Sequence, residues 1–129
     1  MSASAQDPWR TNPPLGLVRH ELGHAFCARH FGAVSTKIHH DGYSWRSDTT
    51  WPTKQPSEKA VAASWLGGMV APEFMSGEDH LICGSFPAAI KFEVLSELEP
   101  VFESLRNISD EKLQALSKQI VTDGFLVIE

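Results

Sequence analysis

Residues 20–24 read His-Glu-Leu-Gly-His, inside a stretch whose apolar residues recur at helical spacing. At about 100° per residue, Leu17, His20, His24, Cys27 and Phe31 fall on one side of a helix running from about Pro14 to Phe31. Leu15, Val18, Leu22 and Phe26 form a second stripe on roughly the opposite side, with Arg19 and His30 in a polar lane between. Pro14 suits the first turn, and Gly32 suits the stop. A helix apolar on two sides must be sandwiched, so other elements have to cover both of its faces.

The histidine spacing has a chemical consequence. Two imidazoles four residues apart lie one turn apart, so both can reach a single ion. Two unpaired histidines on an apolar stripe would be costly, which favours a shared ligand over coincidence. Glu21 lies beside the pair, where its carboxylate can reach a water on the ion without becoming a ligand. Zinc lowers the pKa of such a water toward about 7, and a carboxylate can take its proton as it attacks a carbonyl. The reading is therefore His20 and His24 as Zn2+ ligands, Glu21 as general base, and hydrolysis of a peptide bond in a peptide or protein substrate.

The rest of the chain supplies the covering elements. Asp41-Gly42 lies between β-prone residues and predicts a hairpin with strands at about 34–40 and 43–47. Residues 47–57, punctuated by Pro52 and Pro56, read as a polar loop. Ser57 is a good cap for a second helix to about Met75, and Gly67-Gly68 inside it calls for close packing of another helix. Residues 76–86 read as a loop. A third helix is expected from Pro87 through Leu105 and a fourth over about 110–121, followed by an apolar tail, Phe125 to Ile128. The expected fold class is α+β, mostly α-helical: a single domain over 14–129, preceded by a flexible, proline-rich arm over 1–13.

Composition narrows the partners. With 129 residues, a net charge of −5 and no Lys/Arg cluster, the chain lacks the basic footprint that nucleic acid or an anionic membrane surface requires. No apolar run approaches the ~20 residues of a membrane span, and the polar opening has no signal-peptide core, so a cytoplasmic setting is expected. Two cysteines, Cys27 and Cys83, are expected to be free thiols. A homo-oligomer is compatible with everything above.

The segment His20-Glu-Leu-Gly-His-Ala-Phe-Cys-Ala-Arg-His30 resembles the H-E-A-G-H-A helix of the FtsH-like zinc peptidases. Leu66-Gly-Gly-Met-Val-Ala-Pro-Glu73 resembles that family's second signature, L-A-G-x-x-A-E-E, with Pro72 where the family has glutamate. The resemblance covers about residues 16–90 and implies a zincin-like fold without the AAA motor, since no G-x-x-x-x-G-K-[ST] loop occurs in the sequence. It also implies a third zinc ligand, an aspartate after the second helix, for which Asp79 is the nearest candidate; Glu73, Glu78 and His80 are the alternatives. Cys27, one turn beyond His24, is the candidate for a closed fourth position. The strand at 34–40 is expected to offer an edge along which an extended substrate pairs. His39 and His40 alternate across that strand, so at most one faces the site. Trp45, Trp51 and Trp65 read as core or loop anchors, and Glu93, Glu97, Glu99 and Glu103 as a solvated face. Two rival functions remain: a catalytically degenerate peptidase fold acting as a protein-binding module, and a purely structural zinc site.

Overall fold

The computed structural model describes residues 7–129; of the arm expected over 1–13, residues 1–6 lie outside the described part. Helix α1 (Leu15–His30) leads into strands β1 (Ser35–His40) and β2 (Trp45–Thr50), then α2 (Glu58–Leu66). Two 3₁₀ turns, Gly67–Val70 and Pro72–Phe74, connect α2 to α3 (Gly77–Ser85). Helices α4 (Ala88–Arg106) and α5 (Asp110–Asp123) and strand β3 (Phe125–Ile128) complete an α+β, mostly helical fold.

The two-sided helix is wrapped as its pattern demands. One flank of α1 meets α2 and the Gly67–Val70 turn, the other meets the sheet, and α4 and α5 close around it. His20, Glu21, Leu22, Gly23 and His24 are all buried, and Phe26 emerges at the surface. Arg19, in the polar lane, donates to the carbonyls of Leu105 and Ile108 at 3.1 and 3.2 Å, where the end of α4 leaves carbonyls without helical partners.

At the hairpin, Asp41 Oδ1 accepts from the backbone N–H groups of Tyr43 and Ser44, and Gly42 takes the positive φ of 99° that the turn requires. The turn spans four residues, so β2 begins at Trp45 and runs on to Thr50, through residues expected to form a loop. Its alternation is polar on both faces beyond Trp45, which hid the strand. The apolar tail becomes β3 and pairs antiparallel with β1, giving the order β2-β1-β3. Strand β1 is therefore central, and the expectation that residues 34–40 form a free edge is overturned. Among the described residues, the free edges belong to β2 and β3.

Helix α2 ends at Leu66 rather than near Met75. The paired glycines tighten the chain into a 3₁₀ turn, and Pro72 follows one turn later. Residues 77–85, expected as a loop, form α3: Ser76 Oγ accepts from the Asp79 N–H and the Asp79 carboxylate accepts from the Ser76 N–H, a reciprocal capping box. Helix α4 runs through Pro100 and buries Val94, Leu98, Phe102 and Leu105, leaving the glutamate face in solvent. In the expected arm, residues 7–10 are folded against the hairpin. His40 Nε2 donates to Asp7 at 2.9 Å, and the Trp45 indole donates to the Trp9 carbonyl. No helix among the described residues is long and apolar enough to cross a membrane.

Candidate metal centre

Two glycine contacts fix the site before any polar group is considered. A Cβ on Gly23 would lie 2.1 Å from the Gly67 carbonyl oxygen, and one on Gly67 would lie 2.2 Å from that of Gly23, so α1 and the 3₁₀ turn touch backbone to backbone. This is the close packing that the paired glycines required. Gly68 then sits against both histidines; a Cβ there would meet the His20 and His24 rings at 2.6–2.7 Å.

That approach brings backbone carbonyls to the imidazoles. The Gly68 carbonyl lies 2.9 Å from His20 Nδ1, and the Ser64 carbonyl lies 2.7 Å from His24 Nδ1. A carbonyl only accepts, so each Nδ1 carries the proton and each Nε2 is left with its lone pair. The two Nε2 atoms face one another at 3.1 Å, and Asp79 completes the cluster at 3.4 Å from His20 and 3.6 Å from His24. Two acceptor nitrogens and a carboxylate at such distances repel unless a positive charge lies among them. A tetrahedral ion with ligand bonds of about 2.0–2.1 Å has ligand–ligand edges of about 3.3 Å, close to all three separations. The donor set thus fits a divalent metal ion, and carbonyl-anchored histidines are the outer-shell support such sites use. Among the described residues, His20, His24 and Asp79 form the one buried group with this property.

The electrostatics agree. Burial, with His20 as neighbour, pushes the His24 pKa down to about 4, keeping the ring neutral as a ligand must be. Burial also opposes a proton on His20, but hydrogen bonding to Asp79 and the Glu21 charge outweigh it and raise its pKa. Asp79 resists its own burial through the His20 contact and the Ser76 N–H, and falls to about 2.

Glu21 stands apart from the triad, with Oε1 3.9 Å from His20 Nε2. Burial raises its pKa to about 7, against the hydrogen bond that Ser47 donates to Oε2 at 2.6 Å. Beside these residues opens a cleft of about 590 Å³, reached by Glu21, His24 and Asp79 and running along β2 from Ser44 to Thr49 toward Trp51 and Trp65.

The alternatives for the third position separate cleanly. Glu73 and Glu78 line the cleft but fall outside the triad, and His80 is exposed. Cys27 is a buried core cysteine outside the group, with its thiol pushed up to about 12 by burial. His39 pairs with Asp48 on the outer face, and His40 is held by Asp7; neither belongs to the cluster. Trp45 is a core anchor and Trp65 packs against the core; both, with Trp51, also line the cleft, Trp65 edge-on to His24 at 6.3 Å. Ser47, Ser64 and Gly68 were not anticipated, and two of them act through carbonyls that no side-chain pattern announces. Comparison with protein-family models, with curated proteins and with solved structures yields no match.

Proposed function

We propose that this chain is a zinc-dependent peptidase with the ligand arrangement of the FtsH-like zinc peptidases that its two motifs resemble: His20, His24 and Asp79 hold the ion, and Glu21 is the general base. The observation that carries the reading is the convergence of the His20 and His24 Nε2 atoms on one carboxylate, Asp79, with a second carboxylate, Glu21, 3.9 Å from His20 Nε2. Zinc would supply Lewis acidity at the scissile carbonyl and make a water acidic enough to attack near neutral pH. Glu21 then accepts a proton as that water adds to the carbonyl carbon, and returns it to the departing amine nitrogen. The balance is one water consumed and one amide C–N bond broken. Strand β2, a sheet edge along the cleft, takes over the substrate-pairing role that the sequence reading gave to β1.

The test is metal content per chain on protein purified without chelator, together with hydrolysis of unfolded casein. The expected result is one zinc per chain, with hydrolysis in wild type, none in Glu21→Gln and zinc retained in that variant. No zinc after reconstitution, or equal activity in Glu21→Gln, would overturn the proposal.

A further inference from the structure

Glu21 has three rotatable side-chain bonds, and its carboxylate's ion pair with the triad, to His20 Nε2, is 3.9 Å long, so something else must hold the carboxylate. Among the described residues, Ser47 is the one side chain that donates to it: Oγ lies 2.6 Å from Oε2 and 3.3 Å from the Glu21 carbonyl oxygen. Ser47 reaches inward from β2 because alternation along the strand places Trp45, Ser47 and Thr49 on the face toward α1, with Arg46 and Asp48 exposed on the other. The hydroxyl can make this bond while Oε1 stays on the side of His20 and the cleft.

Resting on the peptidase reading above, we infer that Ser47 is a positioning residue for the reaction. By committing Oε2 to its hydroxyl, it fixes Oε1 as the oxygen that exchanges the proton. It also ties the base to the strand along which the substrate is expected to pair. A helix residue and an edge-strand residue 26 positions apart thereby form one unit.

Kinetics and folding stability test this together. With casein as substrate, Ser47→Ala should keep one zinc per chain and a KM within about twofold of wild type. Its kcat should fall about tenfold or more, the scale of losing a hydrogen bond to a charged group. Ser47→Thr, which keeps the hydroxyl and suits a strand, should restore most of kcat. Independently of activity, a double-mutant cycle of Ser47→Ala and Glu21→Ala on the zinc-free chain should be non-additive in Tm, the serine substitution costing less once Glu21 is gone. Unchanged kcat in Ser47→Ala, equal losses in Ala and Thr, or additive Tm shifts would each overturn the role of Ser47 while leaving an active, zinc-loaded wild type intact. A zinc-loaded wild type that cleaves nothing would sink the peptidase reading itself, and the catalytic role of Ser47 with it.

Discussion

The two halves of the candidate metal centre are built on opposite principles. The histidine half belongs to α1, a 16-residue helix enclosed by other elements, whose rings are set by backbone carbonyls across a glycine–glycine contact. The aspartate half belongs to α3, nine residues long and buried only at Asp79 and Cys83, where the side chain that faces the histidines also caps its own helix. One half is held by packing that leaves no room for a methyl group. The other is held by two hydrogen bonds at a helix end. Substitutions in the first should therefore cost the fold, and substitutions in the second should separate metal affinity from folding.

The largest effect is expected at Gly23. An alanine Cβ there would stand 2.1 Å from the Gly67 carbonyl oxygen, a backbone atom that cannot swing aside. Gly23→Ala should destabilise the chain by about 3 kcal/mol, the upper end for overpacking, and lower Tm by about 10 °C or more. Metal should be lost as well, because the Ser64 and Gly68 carbonyls move with the turn. Thermal unfolding by circular dichroism checks this, and a Tm within about 2 °C of wild type would show that the two backbones are not locked together.

A second effect lies in the charge buried on α1. Burial pushes the Glu21 pKa up to about 7 in the folded chain, from an ordinary value of 4.5. Between those values the folded state binds more proton than the unfolded one, so the stability contribution of a protonated Glu21 is lost as pH rises through that window. Glutamine cannot ionise and can still accept from Ser47. Glu21→Gln should therefore stabilise the zinc-free chain by about 1–3 kcal/mol at pH 8, with the gain shrinking toward zero near pH 4.5. Urea titrations at the two pH values measure it. A gain independent of pH would mean that burial does not penalise the Glu21 carboxylate.

The same contrast explains what could be read without coordinates. His20, Glu21 and His24 announced themselves because helical spacing converts sequence distance into a shared face, and the apolar stripes on both sides of α1 required the enclosure that is found. Gly67-Gly68 asked for close packing, and the partner backbone proved to be α1 itself. Helix α3 was missed although Ser76 and Asp79 stand at capping-box spacing; with Gly77 and Gly84 and a weak apolar pattern, the segment carries little other helical signal. Placing β1 at an edge failed for a different reason. Four apolar tail residues can pack anywhere, and only their pairing with β1 closes its edge and leaves β2 and β3 on the outside. Ser47 was invisible because a hydroxyl on a polar strand carries no sign of which carboxylate lies across from it.

The smallest of these effects discriminates best. Asp79 accepts from the Ser76 N–H at 2.8 Å and faces both histidines, so alanine removes a cap and a candidate ligand at once, whereas asparagine keeps an oxygen for the cap and loses only the charge. In the zinc-free chain near pH 7, Asp79→Ala should be less stable than Asp79→Asn by about 1 kcal/mol, the scale of a helix cap. Both variants should bind zinc far more weakly than wild type, by a similar factor, since a neutral amide replaces little of a carboxylate's affinity for a divalent ion. Zinc titration and urea unfolding of the same two proteins separate the roles. If Asp79→Asn bound zinc like wild type, the charge of Asp79 would serve α3 and the buried histidine pair rather than the ion, and the third ligand would have to be sought at Glu73 or Glu78 on the cleft wall.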